Sequence, residues 1–160
     1  MTYKIIGKYI RDLKFNIPNP KVFFILSKNI SNYKINIDIK SSQVKQNIIE
    51  VLTSLSLNPT SNDFEKIETK IIYSTIVELT NEDIKKDEIE KIILINVPAD
   101  IYSELRQIFI FMFENSGFKD IKINTNPILS RTPHFITSNF ESSSFFLLEE
   151  EMNWPNIFRK

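Results

Sequence analysis

The sequence predicts an α+β fold, in which an antiparallel sheet of three or four strands is sheltered on one face and is followed by helices. Two observations predict it. In the first half of the chain, apolar and polar residues alternate with a period of two, which is typical of strands sheltered on one face. In the second half, an apolar stripe with helical spacing occupies residues 99–116. The 160 residues, 42% of them hydrophobic, are enough for one domain with a core of its own.

Four segments have the strand pattern: residues 3–15, 33–40, 49–57 and 67–79. The second segment is the clearest, since its apolar residues occupy alternate positions from Tyr33 to Ile39. Residues 41–43 are predicted to make the turn after it, and Pro59 to end the third segment. Short connections between successive strands indicate an antiparallel meander.

Helical spacing begins after residue 80. Asn81 is predicted to cap a helix whose isoleucines recur between residues 84 and 95, and Pro98 to end that helix. The segment over residues 99–116 is the clearest helix in the chain. Gly117 follows it in the position of a left-handed C-cap residue.

The helix over residues 99–116 has more apolar surface than one stripe requires. Ile110 and Phe111 point away from the stripe that would pack on the sheet. If they stayed exposed in a monomer, each would lose about 1.5–3 kcal/mol relative to burial. We predict that these two residues form an oligomer interface; the alternative is that another part of the same chain covers them.

Composition excludes several function classes. The chain has no cysteine, one histidine (His134) and two glycines, so thiol chemistry, a multi-histidine metal site and a glycine-rich phosphate loop are not expected. Its 20 basic and 20 acidic residues balance, which argues against a partner made of nucleic acid. No apolar run is long enough for a membrane span or a signal peptide, so we expect a cytoplasmic protein without membrane insertion.

We therefore expect a protein that is not an enzyme and binds no cofactor or metal. An enzymatic alternative would use Asp12, Glu50 or Glu104 as acid–base groups, but no sequence spacing pairs them. Each of the three falls where a charged surface residue belongs.

Two stretches carry a resemblance to a known family. Residues 9–15, Tyr-Ile-Arg-Asp-Leu-Lys-Phe, followed by Pro18 and Asn19, are similar to the opening strand of SecB proteins, with Arg11 in place of the usual lysine. A second SecB stretch is matched without gaps from Pro98 to Arg106 and on to Gly117 and Phe118, with Val97 in place of the usual cysteine. The chain thus resembles the SecB family of export chaperones. We assign residues 1–128 to a SecB-like domain and residues 129–160 to a divergent C-terminal tail.

The resemblance implies a four-stranded antiparallel sheet with helices packed on one face, assembled as a homotetramer. This tetramer would be a dimer of dimers with the long helix at its interface. It implies a holdase that binds unfolded precursor proteins in a hydrophobic groove and delivers them to the SecA ATPase, without a cofactor. Phe23, Phe24 and Leu26 would help to line the client groove. Asp12 would bind the motor from the outer face of the sheet, where the glutamate that the family has four residues later is Asn16.

Two other functions are compatible with the sequence. A SecB-like chaperone dedicated to a toxin–antitoxin client would keep the fold. The smaller number of acidic residues on the outer face of the sheet favours this alternative. An unrelated α+β module for a small apolar ligand would instead have an enclosed pocket.

The C-terminal tail combines residues 145–148, Phe-Phe-Leu-Leu, with three glutamates. This pattern is typical of an interaction segment or of an amphipathic helix docked on its own body.

Overall fold

The sheet has four strands: β1 (Tyr3–Asn16), β2 (Tyr33–Lys45), β3 (Ile48–Pro59) and β4 (Glu68–Leu79). They pair antiparallel in the order β1-β4-β3-β2, so that β1 and β2 are the edge strands. The computed structural model describes residues 2–64, 67–81 and 83–119. The predicted four-stranded antiparallel sheet is confirmed.

Helices follow β1 and β4. α1 (Pro20–Asn29) and a 3-10 turn (Ile30–Asn32) connect β1 to β2. After β4, the chain forms α2 (Lys86–Lys91), a π-helical segment (Ile92–Asn96) and α3 (Val97–Asn115) without interruption.

The core lies between one face of the sheet and the helices, as predicted. Leu55 and Ile71 from the two central strands pack with Leu105 and Phe109 of α3, and all four are fully buried. A second apolar cluster forms where the π-helical segment covers the sheet around Val77. Because alternate residues of a strand point to opposite faces, the residues between these core positions lie on an outer face that no helix covers in the described part of the chain.

Three sequence predictions about boundaries were wrong. Residues 41–43 do not form a turn; they pair with Val51, Glu50 and Ile49, and the chain turns at residues 46–47 instead. The ladder continues because these polar residues make the same backbone hydrogen bonds as apolar ones would.

Asn81 does not cap a helix, and Pro98 does not end one. The Asn81 side chain accepts a hydrogen bond from the Asp83 amide at 3.1 Å, which makes a local turn, and α2 starts only at Lys86. Pro98 lies where the π-helical segment passes into α3, and the backbone stays helical through this junction, with Asn96 and Val97 both in the right-handed helical region.

The predicted C-cap at Gly117 is confirmed. Gly117 has a φ of 90°, and its amide donates to the Glu114 carbonyl at 3.1 Å. The Phe118 amide donates to the Phe113 carbonyl at 3.1 Å, and the two rings contact with centroids 5.5 Å apart. This is a Schellman motif with its hydrophobic contact, and it directs Phe118 back towards α1.

Replacing Gly117 by alanine is expected to lower the free energy of unfolding by about 1–2 kcal/mol, because a side chain is strained at this positive φ. The new Cβ would meet the Phe23 ring at an ordinary 3.7 Å, so the cost comes from the backbone and not from a clash. Denaturant unfolding measures it. Gly117→Asn is the matched control and should lose less, since asparagine tolerates positive φ better; equal losses in both variants would contradict the backbone explanation.

Candidate functional site

α1 presents a phenylalanine to the outside. The Asn19 side chain caps the helix by accepting a hydrogen bond from the Val22 amide at 3.0 Å, and Pro20 supplies the preorganised first turn. With the helix fixed in this way, Val22 and Leu26 point into the core, and Phe24 points away from it with 61% of its surface exposed. An exposed aromatic ring of this size is a candidate contact for an apolar partner.

Phe24 is the outer end of a row of aromatic rings. Its centroid is 5.7 Å from that of Phe23, which lies 4.7 Å from Phe118. Phe118 contacts Phe113 at 5.5 Å, and Phe113 meets Phe15 of β1 edge-to-face at 4.9 Å. The row therefore connects α1, the end of α3 and the sheet, and gives the exposed ring a rigid support.

The three residues predicted to bind a client have different positions. Phe24 is exposed, and Phe23 is half-buried between Phe24 and Phe118. Leu26 is 0% exposed and belongs to the main core, so it cannot contact a client without leaving that core. We correct its role accordingly: Leu26 anchors α1, and the accessible surface belongs to Phe24 and the free edge of Phe23.

The residues predicted to form an oligomer interface also differ from one another. Phe111 of α3 is 63% exposed, whereas Ile110 is half-buried at the margin of the core. A second exposed apolar surface lies on the edge strand β1, where four large side chains are each 44–49% exposed: Ile6, Tyr9, Ile10 and Leu13. An edge strand also presents unpaired backbone groups, so β1 is suited to pairing with another chain.

Asp12, the predicted motor contact, lies on β1 opposite Ile72 of β4, on the outer face of the sheet. The neighbouring pair, Ile10 and Tyr73, lies on the helix side, where the Tyr73 hydroxyl donates to Glu104 of α3 at 3.0 Å. Asp12 is partly exposed. Its position is compatible with contact to a partner on the outer face, which stays a prediction.

Glu50 is the centre of a hydrogen-bond network on the same outer face that the sequence did not reveal. Its carboxylate accepts from Ser74 on β4 at 2.7 Å and from Tyr9 and Arg11 on β1 at 3.0 Å and 3.1 Å. Ser42 on β2 adds a contact at 3.4 Å. Side chains from all four strands thus contact one carboxylate, because the strand register places them at the same level of the sheet.

Opposing influences act on the pKa of Glu50. Burial alone would raise it, but the hydrogen bonds from Ser74 and Tyr9, the charge of Arg11 and the Ser42 contact outweigh burial and hold the pKa below its ordinary value. A carboxyl whose pKa is depressed by folding stabilises the folded state above its unfolded pKa, and this contribution is lost as the pH falls through the folded pKa.

Glu50→Gln is therefore expected to lower the free energy of unfolding at pH 7 by about 1 kcal/mol, the scale of a hydrogen bond that loses its charge. The difference from the wild-type protein should shrink as the pH falls below about 4.5, the ordinary pKa of this group. Denaturant unfolding across this pH range measures it. The exposed Glu114→Gln is the control; a Glu50→Gln deficit that is equally large at pH 3 would contradict the explanation.

The carboxylates that an enzyme would need are not brought together. Glu50 lies on the outer face of the sheet, whereas Glu104 lies on α3 on the other side, where it pairs with Lys8 and accepts from Tyr73. No group of three or more potential metal ligands occurs among residues 2–64, 67–81 and 83–119, and His134 lies outside them. In the same part of the chain, no helix is long and apolar enough to cross a membrane.

The α+β domain thus presents a supported aromatic surface, and the carboxylates of Glu50 and Glu104 are both engaged in hydrogen bonds. The family profile described as preprotein translocase subunit SecB matches residues 1–128. A relative from Pelagibacter ubique (strain HTCC1062), described as a candidate protein-export protein SecB, is 40% identical over 120 residues, which cover 75% of this chain and 86% of the relative. The chain belongs to the SecB family.

More distant matches have either the same family name or the same fold. The protein-export protein SecB of Anaplasma phagocytophilum (strain HZ) is 22% identical over 132 residues, with 75% of this chain and 84% of the relative covered. A SecB-like chaperone of Mycobacterium tuberculosis, solved in complex with a peptide from an antitoxin, has the same fold with a TM-score of 0.54 at 8% identity, over 78% of this chain and 91% of that one. SecB proteins are chaperones and not enzymes, which confirms the prediction that this chain is not an enzyme.

Proposed function

We propose that this protein is a holdase of the cytoplasm that binds unfolded precursor proteins at the aromatic surface of α1 and delivers them to the SecA ATPase. The observation that carries the proposal is the exposed Phe24 at the end of the aromatic row. Membership of the SecB family supports the export role, since the relatives are named protein-export proteins.

The geometry of Phe24 suits weak and unselective binding. A flat exposed ring contacts many side chains without reading a sequence, and a ring supported by Phe23 and Phe118 loses little conformational freedom on binding. Burying such a ring contributes about 1.5–3 kcal/mol, which gives little affinity at a single site. Several copies of the site on one assembly would raise the avidity while each contact stays reversible.

We propose that the assembly is a homotetramer, a dimer of dimers. Two exposed apolar surfaces support it: the edge strand β1, and the outward side of α3 that carries Phe111. An edge strand with four partly exposed apolar side chains promotes association unless another chain covers it. Phe111 and the exposed part of Ile110 would form the second contact.

We further propose that Asp12 takes part in the contact with SecA. The outer face supports such a contact because the described helices do not cover it. Its charges are mixed, however: Lys14 and Lys70 lie near Asp12 and face the same way, and Glu50 is already occupied by its network. The proposed contact is therefore local to Asp12 and does not depend on a large acidic surface.

Light scattering tests the holdase activity. A secretory precursor is unfolded in denaturant and diluted into buffer with and without the purified full-length chain. Suppression of aggregation at near-stoichiometric tetramer, unchanged by ATP, is the expected result. Absence of suppression with both secretory and cytosolic test proteins would overturn the proposal, and suppression restricted to an antitoxin would replace the general client with a dedicated one.

A further inference from the structure

We propose that the segment 145–151 of this chain binds the exposed stripe of α1 and competes there with clients. We define the α1 stripe as Lys21, Phe24 and Lys28. The inference rests on the proposed function for the competition, but the contact between the segment and the stripe stands on its own.

The α1 stripe combines one aromatic ring with two positive charges. Lys21, Phe24 and Lys28 are spaced at i, i+3 and i+7, so they share one face of α1, and all three are exposed. The sequence of α1, Pro-Lys-Val-Phe-Phe-Ile-Leu-Ser-Lys-Asn, contains no acidic residue. The surface thus favours a partner that offers apolar side chains next to carboxylates.

Residues 145–151, Phe-Phe-Leu-Leu-Glu-Glu-Glu, have this chemistry. Four large apolar side chains would lie beside Phe24, and the three consecutive carboxylates would lie near the lysines. In the described part of the chain, the other strongly exposed phenylalanine, Phe111, is followed by Glu114 on its own helix and offers no such complement. Charge therefore selects the α1 stripe over Phe111 as the place where this segment binds.

The chain continues from a point beside the stripe. Phe118 packs on Phe23 with centroids 4.7 Å apart, and Phe23 contacts Phe24 at 5.7 Å. Residue 145 follows Phe118 by 27 residues, which span at most about 90 Å when fully extended, far more than the distance to be covered. A tethered segment of this length has an effective concentration of the order of millimolar, so even a contact with a Kd of about 1 mM is formed about half of the time.

Trp154 provides a native probe of this contact, because it is the only tryptophan in the chain and follows the segment by three residues. Its fluorescence in the full-length protein is titrated with acrylamide, a neutral quencher, in the absence of any client. We expect the quenching constant to rise about twofold in Phe24→Ser and in the double variant Phe145→Ser/Phe146→Ser, because freeing a half-bound segment exposes the indole. Val44→Ser is the control, because Val44 is an exposed apolar residue of β2 that takes part in no proposed contact, and it should leave quenching unchanged.

A charge exchange tests the pairing itself. Lys21→Glu/Lys28→Glu and Glu149→Lys/Glu150→Lys/Glu151→Lys should each raise the quenching constant, and the combination of both sets should return it towards the wild-type value. The circular dichroism spectrum of each variant checks that the fold is retained. Failure of the combination to restore protection would overturn the charge complementarity.

Three results would overturn the contact: equal quenching in the wild-type protein and Phe24→Ser, release of Trp154 by Val44→Ser, or protection that grows with protein concentration, which would identify a second copy as the partner. The competition is tested separately with the light-scattering assay. Phe145→Ser/Phe146→Ser should suppress aggregation at about half the wild-type concentration, since the stripe is no longer half-occupied. Equal potency would overturn the competition, whereas absence of suppression in every protein would overturn the holdase function and leave the Trp154 result unaffected.

Discussion

Replacing Phe113 by alanine is expected to lower the free energy of unfolding by about 3–5 kcal/mol, the cost of removing a phenylalanine from a packed core. Phe113 is 0% exposed, and its ring lies 4.9 Å from those of Phe15 and Phe109 and 5.5 Å from that of Phe118. Alanine would leave a cavity where β1, α3 and the segment after α3 meet. Denaturant unfolding monitored by far-ultraviolet circular dichroism measures the loss.

Phe24→Ala is the matched control, since it removes the same side chain from a position that is 61% exposed. A surface substitution of this kind should change the free energy of unfolding by about 0.5 kcal/mol or less. Similar losses at Phe113 and Phe24 would contradict the packing described above, because they would mean that the two ends of the aromatic row are equally buried.

Replacing Phe111 by glutamate is expected to split the proposed tetramer into dimers. Burying an unpaired carboxylate in an apolar interface costs several kcal/mol, so the dissociation constant should rise by about 100-fold or more. Phe111 is 63% exposed in the single chain, so the same change should have little effect on the fold of the protomer. Sedimentation velocity at micromolar concentration measures the assembly state.

Phe24→Glu is the control for this experiment, because it places the same charge on an equally exposed ring of the other helix. Its tetramer should persist. If Phe111→Glu remains tetrameric, α3 does not form the interface, and the edge strand β1 would have to carry the whole assembly.

The sheet could be predicted from the sequence because one of its faces is polar. In Tyr33–Lys45, the alternation of apolar and polar side chains sets the period without any information from the rest of the fold. The strand ends could not be predicted in the same way. Ser41 and Ser42 resemble turn residues, yet they pair with β3, because the length of a hairpin is decided by where both strands stop gaining contacts.

The sequence pattern did not predict α1, although the sequence contains a signal for this helix. Asn19 followed by Pro20 is a helix start, with a capping side chain and a proline in the first turn. Without the helix, Phe23, Phe24 and Leu26 looked equivalent. The helical period separates them, because it turns Leu26 into the core and Phe24 towards the outside.

The Glu50 network could not be predicted from spacing. Its members come from four strands, and they meet only because the β1–β4, β3–β4 and β2–β3 registers place them at one level of the sheet. The outward direction of Phe111, by contrast, could be predicted from the sequence. A residue's angle around a long helix depends only on its position along that helix.

The claim that clients bind at the aromatic surface of α1 is tested most directly by the affinity of the full-length chain for a permanently unfolded, carboxymethylated protein. Calorimetry compares the wild-type chain with Phe24→Leu, which keeps an apolar side chain, and Phe24→Asp, which removes it. We expect Phe24→Leu to bind within about threefold of wild type and Phe24→Asp to bind about tenfold or more weakly, as expected for the loss of one buried ring. Equal affinity in all three proteins would contradict the assignment of the client surface to α1.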